Sequence, residues 1–210
     1  LHNLGSVLHV DRRLPGKERS YNMSVHPAVA NLVESLRKTV TLSKDPKTIV
    51  STITPTAIQL AEDKTWLKPE YYQCDYNQGM GITILNEEDD HSILVETVAW
   101  LPGRGVSPHD HQTWGLVVGI DGTEINVNWQ RIDDGRSQTF AELQIVEERA
   151  ISQGDAVSLM PEDIHSVRNE GDKISLSLHI YGKALSSLER YEFDPISKTR
   201  QICPQRIRRE

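Results

Sequence analysis

The chain has 210 residues, of which 37% are hydrophobic and 25% charged, with a formal net charge of −7. That length fits one domain, or one domain with a small appendage, and the composition is that of a folding chain rather than a disordered one. The acidic balance argues against a nucleic-acid partner, and no apolar run approaches the roughly 18 residues of a membrane helix. Cys74 and Cys203 cannot build a disulfide framework, nor a zinc site by themselves. Residues 1–10 lack the basic start and apolar core of a signal peptide. A cytoplasmic protein is expected.

Residues 1–24 hold Gly5, Pro15 and Gly16 and show no hydrophobic period, so they read as an irregular arm. From Pro27 the period becomes helical. Val29, Leu32, Val33, Leu36 and Val40 share one stripe, with Ser24 as a candidate N-cap. Asp45-Pro46 marks a break. Ile49, Ile53, Ile58 and Leu60 then fit one or two short helices, with Pro55 at a helix start. Leu67-Lys68-Pro69 closes this helical front, which covers about 25–66. The arm and the helical cap together make residues 1–78.

From Gly79 the period drops to two. Segments 82–85 and 92–100 read as strands joined by a turn at Asp89-Asp90. Segments 114–120 and 123–132 form a hairpin around Asp121-Gly122. In its second arm Ile125, Val127 and Trp129 alternate with Glu124, Asn126, Asn128 and Gln130, which reads as one buried and one wet face. Further strands fit 143–148, 156–160, 166–169, 174–181 and 192–193. Short strands at regular spacing predict a sandwich or barrel over 79–210, with a tail that looks mobile from Cys203 and a solvated charge run at 206–210. Cap and barrel form one folded unit.

The histidines carry the chemistry. His109 and His111 stand two apart, so in an extended segment their rings leave the same face and can chelate one metal. His165, beside a later strand, is placed to return as a third ligand. An isolated pair of this kind is also common on surfaces. In Ser175–Tyr181 the polar Ser177, His179 and Tyr181 alternate with Leu176, Leu178 and Ile180. Either the polar face lines the barrel as a hydrogen-bonded row, or it faces solvent and the apolar residues fill the core.

Gly103 before His109, Gly122 after His111, and Pro161 and Asn169 flanking His165 closely resemble the two-part signature of cupins. The resemblance implies a mainly β fold: a double-stranded β-helix, or jelly-roll-like barrel, with a helical N-terminal cap. The cupin pattern has a Glu where this sequence has Gly115. Three neutral imidazoles without a carboxylate leave a divalent metal its full charge, which favours an anionic chelating substrate such as a thiolate. Trp100-Leu-Pro-Gly103, Pro108-His-Asp-His111, Trp114-Gly115, His165 and Ser177-x-His179-x-Tyr181-Gly182 are similar to the cysteine dioxygenase family, nearest in pattern to its bacterial mercaptopropionate-type branch.

That resemblance implies iron(II) held by His109, His111 and His165. Tyr181, His179 and Ser177 would be the catalytic row, and a small thiol and O₂ the substrates, giving a sulfinate. It implies that Arg190 holds a substrate carboxylate, although Arg190 also fits a surface ion pair with Glu189 or Glu192. Where the mammalian-type members have a Cys cross-linked to the Tyr, this chain has Gly115, as in the bacterial branch, so no cross-link is expected. On the strand before the first hairpin the family places Arg or Gln. This chain has neither; Thr83 is the nearest polar candidate, and the register does not favour Gln73 or Gln78. Trp114 is a candidate pocket wall, Asp110 a turn or supporting residue, and Arg104 and Arg168 are candidates for a second carboxylate contact. A zinc hydrolase or lyase, a dioxygenase of a non-thiol substrate and a non-catalytic metal-binding cupin are the alternative readings.

Overall fold

The structure, a computed structural model, describes residues 25–209. The arm at 1–24 and Ser24 lie outside the described residues. Helix α1 (Pro27–Leu42) opens on proline, whose missing amide costs nothing at a helix start, and His26 Nδ1 accepts from the Ala28 amide at 3.3 Å. Helix α2 (Pro46–Glu62) is capped by Asp45, which accepts from the Thr48 amide at 2.9 Å.

The expected break at Pro55 does not occur, and α2 is one helix with the proline inside it. Pro55 leaves the Ser51 carbonyl without its usual amide, but both residues lie on the exposed face, where water can take that place. The buried stripe of Ile49, Ile53, Ala57 and Leu60 runs straight past it. Continuity of packing outweighs the local preference.

A short turn of 3₁₀ helix (Pro69–Tyr72) leads into the strands. These are β1 (Met80–Glu87), β2 (Leu94–Trp100), β3 (Gly105–His109), β4 (Gly115–Asp121), β5 (Glu124–Arg131), β6 (Leu143–Ile151), β7 (Ala156–Leu159), β8 (Ile164–Arg168), β9 (Ser175–Tyr181), β10 (Tyr191–Asp194), β11 (Thr199–Ile202) and β12 (Arg208–Arg209). One sheet has the order β12-β1-β2-β9-β4-β7 and the other β11-β10-β3-β8-β5-β6. From β2 to β10 the chain crosses between the sheets repeatedly, winding a double-stranded β-helix. The mainly β barrel with a helical cap is the fold expected from the sequence.

Two expectations are corrected. The tail is no loose end: β12 pairs in parallel with β1, matching Ile82 to Arg208 and Thr83 to Arg209. Charged sequence carries no hydrophobic period, so pairing by backbone alone left no signature. The supposed wet face of β5 turns inward over its first half, where Glu124 and Asn126 are 3% and 4% exposed, and reaches solvent only at Gln130. The interior it faces is polar.

Helices α1 and α2 cover the outer face of the first sheet. Leu32, Leu36, Ile53 and Trp66 pack with Leu116, Val118, Leu176, Leu178 and Ile180 into one core. Strand β9 is therefore buried along its whole length, apolar face toward the helices and polar face toward the barrel. This settles both readings of its alternation: each face is inside.

Candidate functional site

Strands β3 and β8 pair antiparallel with His109 directly opposite His165, and His111 follows β3 two residues on. The three histidines offer ligand atoms that all lie within 4.8 Å of one another. Their ring centroids are 4.7–4.9 Å apart. His109 Nδ1 donates to the Ser107 carbonyl at 2.9 Å, and His165 Nδ1 donates to Asn126 Oδ1 at 2.6 Å. These bonds assign the proton to Nδ1 and leave each Nε2 lone pair free to bind a metal. His111 Nδ1 is buried without a partner among the described residues.

Burial, the largest cause, holds His109 down at about 4. It lowers His111 and His165 well below the ordinary imidazole value. All three are neutral donors near pH 7. Three imidazoles with no carboxylate in the cluster fit a divalent first-row metal. Asp110 is not aimed at the cluster; its Oδ1 accepts from the Tyr191 amide at 2.9 Å and its Oδ2 from Gln112 at 2.9 Å, fixing the loop.

On β9 the polar row is closed. Ser177 Oγ lies 2.9 Å from His179 Nε2, and His179 Nδ1 lies 2.9 Å from the Tyr181 hydroxyl. The Tyr181 ring packs against His111 with centroids 4.9 Å apart. Burial drives His179 down to about 3 and pushes the Tyr181 phenol far above its ordinary value. Both groups are neutral at any working pH. When Ser177 donates to His179 and His179 to Tyr181, the phenolic proton is free to be donated into the barrel.

His109, His111, His165, His179 and Tyr181 line a pocket between the two sheets, about 570 Å³ including the space open to solvent, and Ser177 lies behind His179 outside that lining. Arg190 lines it too, and is 6% exposed. Neither expected ion pair forms. Glu192 accepts from Gln201 at 2.6 Å and lies 3.6 Å from Arg206, while Glu189 accepts from Tyr191 at 2.5 Å. Among the described residues, four buried polar atoms without a hydrogen-bond partner belong to the lining: Glu96 Oε2, Trp100 Nε1, His111 Nδ1 and Arg208 Nε. Orphaned donors and acceptors around one cavity are places that water, an ion or a polar ligand can satisfy.

The structure does not bring every candidate to this cavity. Thr83 is buried but absent from the lining, because its neighbour Ile82 takes the inward position on β1. Trp114 likewise points outward, into the core beneath the helices and against Gly182. Its neighbour Gly115 faces the site instead, and a Cβ there would stand 3.1 Å from the Tyr181 ring. Arg104 bonds the Tyr76 and Asn77 carbonyls, and Arg168 bridges Glu148 and Glu170, both at the surface.

Sequence reading missed Glu96, Asn126, Arg206 and Arg208. Asn126 sits in the alternation taken for a wet face. Glu96 lies in a strand that is buried along its whole length, where a charged residue is itself the signal.

No protein-family model and no curated protein matches the sequence. Among solved structures, the chain is similar to an oxalate oxidase in complex with glycolate, with 14% identity and a TM-score of 0.42 over 58% of this chain and 61% of that one. It is similar to the cupin domain of an XRE family transcriptional regulator from Enterobacter cloacae, at 17% identity and TM-score 0.37, over 51% of this chain and 99% of that one. A cupin-like protein from Thermotoga maritima gives 15% identity and TM-score 0.40 over 54% and 75%. The chain thus spans less than two thirds of the oxalate oxidase. Among the described residues, no helix is long and apolar enough to cross a membrane.

Proposed function

We propose that this protein is an iron(II)-dependent thiol dioxygenase of the cysteine dioxygenase type, acting on a small mercapto-carboxylic acid. The reaction is RS⁻ + O₂ → RSO₂⁻, in which both oxygen atoms end on sulfur. The observation that carries this reading is the row Ser177–His179–Tyr181, which ends at a phenol packed on His111. Metal storage does not need an oriented phenol, whereas a polar reacting group does.

Iron(II) would be held by His109, His111 and His165 and would supply the Lewis acidity that favours a thiolate and the redox capacity that O₂ chemistry requires. The chain's own residues do the rest. Tyr181 keeps its proton and offers it as a hydrogen bond to the reacting end of the substrate. His179 fixes the direction of that hydroxyl; held at about 3, it orients without taking a proton. Arg190 binds the carboxylate. Met80, Val98, Val106 and Val167 give the cavity an apolar wall that limits water. The free thiols Cys74 and Cys203 suit a reducing compartment, in keeping with a cytoplasmic location.

Oxygen uptake by iron(II)-loaded protein is the test, against cysteine, mercaptopropionate, cysteamine and mercaptosuccinate, with His165→Ala as control. Uptake with a thiol acid, one sulfinate per O₂ and silence in the control are expected. Absence of uptake with every thiol at one metal per chain would move the reading to a zinc enzyme or to a dioxygenase of another anionic chelator.

A further inference from the structure

The C-terminal segment does more than finish the barrel. Parallel pairing with β1 sets Arg208 beside Ile82, and both residues line the cavity. The segment is held at several points. Ile207 is gripped through its backbone by Gln78, which accepts from its amide at 2.7 Å and donates to its carbonyl at 3.3 Å. Arg209 bonds Gln73 through both side chain and carbonyl. The Cys203 amide donates to the Arg190 carbonyl at 2.8 Å. The two glutamines upstream of β1 thus serve the site indirectly, by fixing the strand that enters beside it.

The Arg208 side chain, 13% exposed, faces Glu96 on β2, 3% exposed, with Nε 3.3 Å from Oε2. The pair is close but misaligned, and neither atom has a hydrogen bond among the described residues. A well-made buried ion pair would satisfy both. Two orphaned charged atoms facing one cavity leave an arginine with donors to spare and a carboxylate with a poor partner. Arg206 is engaged by Glu192 and Arg190 has no carboxylate partner among the described residues, so the acid end of the cavity carries excess positive charge.

We infer that the C-terminal segment completes the substrate site: Arg208 joins Arg190 in receiving the acid group of the ligand, and Glu96 is the internal carboxylate that this group displaces. The inference rests on the thiol-acid reading for the sulfur end of the ligand; the acid end stands on the residues just described. Glu96 is faced by Arg208 from β12, Arg190 from the loop before β10, Glu87 from β1, and the neutral His179 and Tyr181 from β9. Burial raises the Glu96 carboxyl to about 7, against the opposing pull of Arg208 and Arg190. Below that value Glu96 is protonated and leaves Arg208 to the ligand. Above it, the ionised Glu96 competes for Arg208 and repels the incoming acid. Acid binding is therefore coupled to proton uptake at Glu96, and weakens as pH rises through about 7.

Calorimetric titration of the zinc-loaded full chain, which cannot turn over, tests this with mercaptopropionate, its thiol-free analogue propionate, and cysteamine, which lacks the acid. Arg208→Leu should weaken both acids by about tenfold or more and leave cysteamine unchanged. Arg208→Lys, which keeps the cation, should retain part of the affinity, and dichroism melts of each variant report whether the fold is intact. Glu96→Gln should bind propionate about tenfold more tightly than wild type near pH 8 and converge with it near pH 5.5. Equal loss of cysteamine affinity in Arg208→Leu, unchanged acid affinity, identical behaviour of Glu96→Gln at both pH values, or no acid binding by the wild type would each overturn the inference. Propionate binding that depends on Arg208, in a protein that oxidises no thiol, would sink the dioxygenase reading while supporting this one.

Discussion

Asn126 has no contact with the reacting end of the cavity, yet it decides what His165 can do. Its Oδ1 accepts the His165 Nδ1 proton at 2.6 Å, and its Nδ2 donates to Asn128 Oδ1 at 3.0 Å. The second bond fixes which end of the amide faces the imidazole, so the ring is locked in the tautomer whose Nε2 can ligate. Asn126→Ala should therefore lower metal affinity by about 10- to 100-fold while leaving all three histidines in place. Competition against a chelator of known strength measures this. Unchanged metal affinity would mean that β8 alone orients His165. His109 depends on the backbone carbonyl of Ser107, and no side-chain substitution can remove that acceptor.

At the scale of elements, β9 shows what a sequence can and cannot disclose. The alternation of Ser177, His179 and Tyr181 with Leu176, Leu178 and Ile180 was legible, as was the spacing that unites His109, His111 and His165. The direction of the polar face was not, because a period of two says which residues share a face but not what covers it. Helix α2 covers one face and the barrel interior takes the other. Tail residues were misread for a related reason. Strand β12 joins the sheet by backbone pairing, and Arg208 is buried against a carboxylate on a distant strand, a contact that no local pattern encodes.

The end of β9 is equally dependent on its surroundings. A Cβ at Gly182 would overlap the Trp114 indole, and the Gly182 amide donates to the Trp114 carbonyl at 3.1 Å. Gly182→Ala should push Trp114 out of the helix-facing core and destabilise the protein by about 1–3 kcal/mol. A urea midpoint equal to that of wild type would show that Trp114 repacks without cost.

At the scale of the molecule there are two interiors with opposite chemistry. Between the helices and the first sheet lies an apolar core, from Leu32 and Ile53 to Leu178 and Ile180. Inside the barrel lie Glu96, Glu124, Asn126, Ser177 and His179, all less than 9% exposed. The first stabilises the fold; the second holds the site and costs stability, because buried polar groups give up water for imperfect partners. Glu124 is the sharpest case. Its Oε1 has no hydrogen-bond partner among the described residues, and burial raises its carboxyl to about 7, with the hydroxyls of Ser177 and Ser175 only tempering the rise.

The consequence for stability has a definite sign. The Glu124 value is raised on folding, so its contribution is fully present below the unfolded value of 4.5 and is lost as pH rises through about 7. The buried histidines act oppositely: their values are lowered, so their contribution is present above 6.5 and is lost as pH falls toward about 4 for His109 and about 3 for His179. Comparing Glu124→Gln with wild type in the metal-free state cancels the histidine part and isolates the carboxyl. The urea-unfolding free energy of the variant should gain on that of wild type by about 3 kcal/mol between pH 4.5 and pH 8. Parallel curves for the two proteins would mean that Glu124 reaches water or a partner when ionised, and that the barrel interior around it is less closed than its side-chain burial indicates.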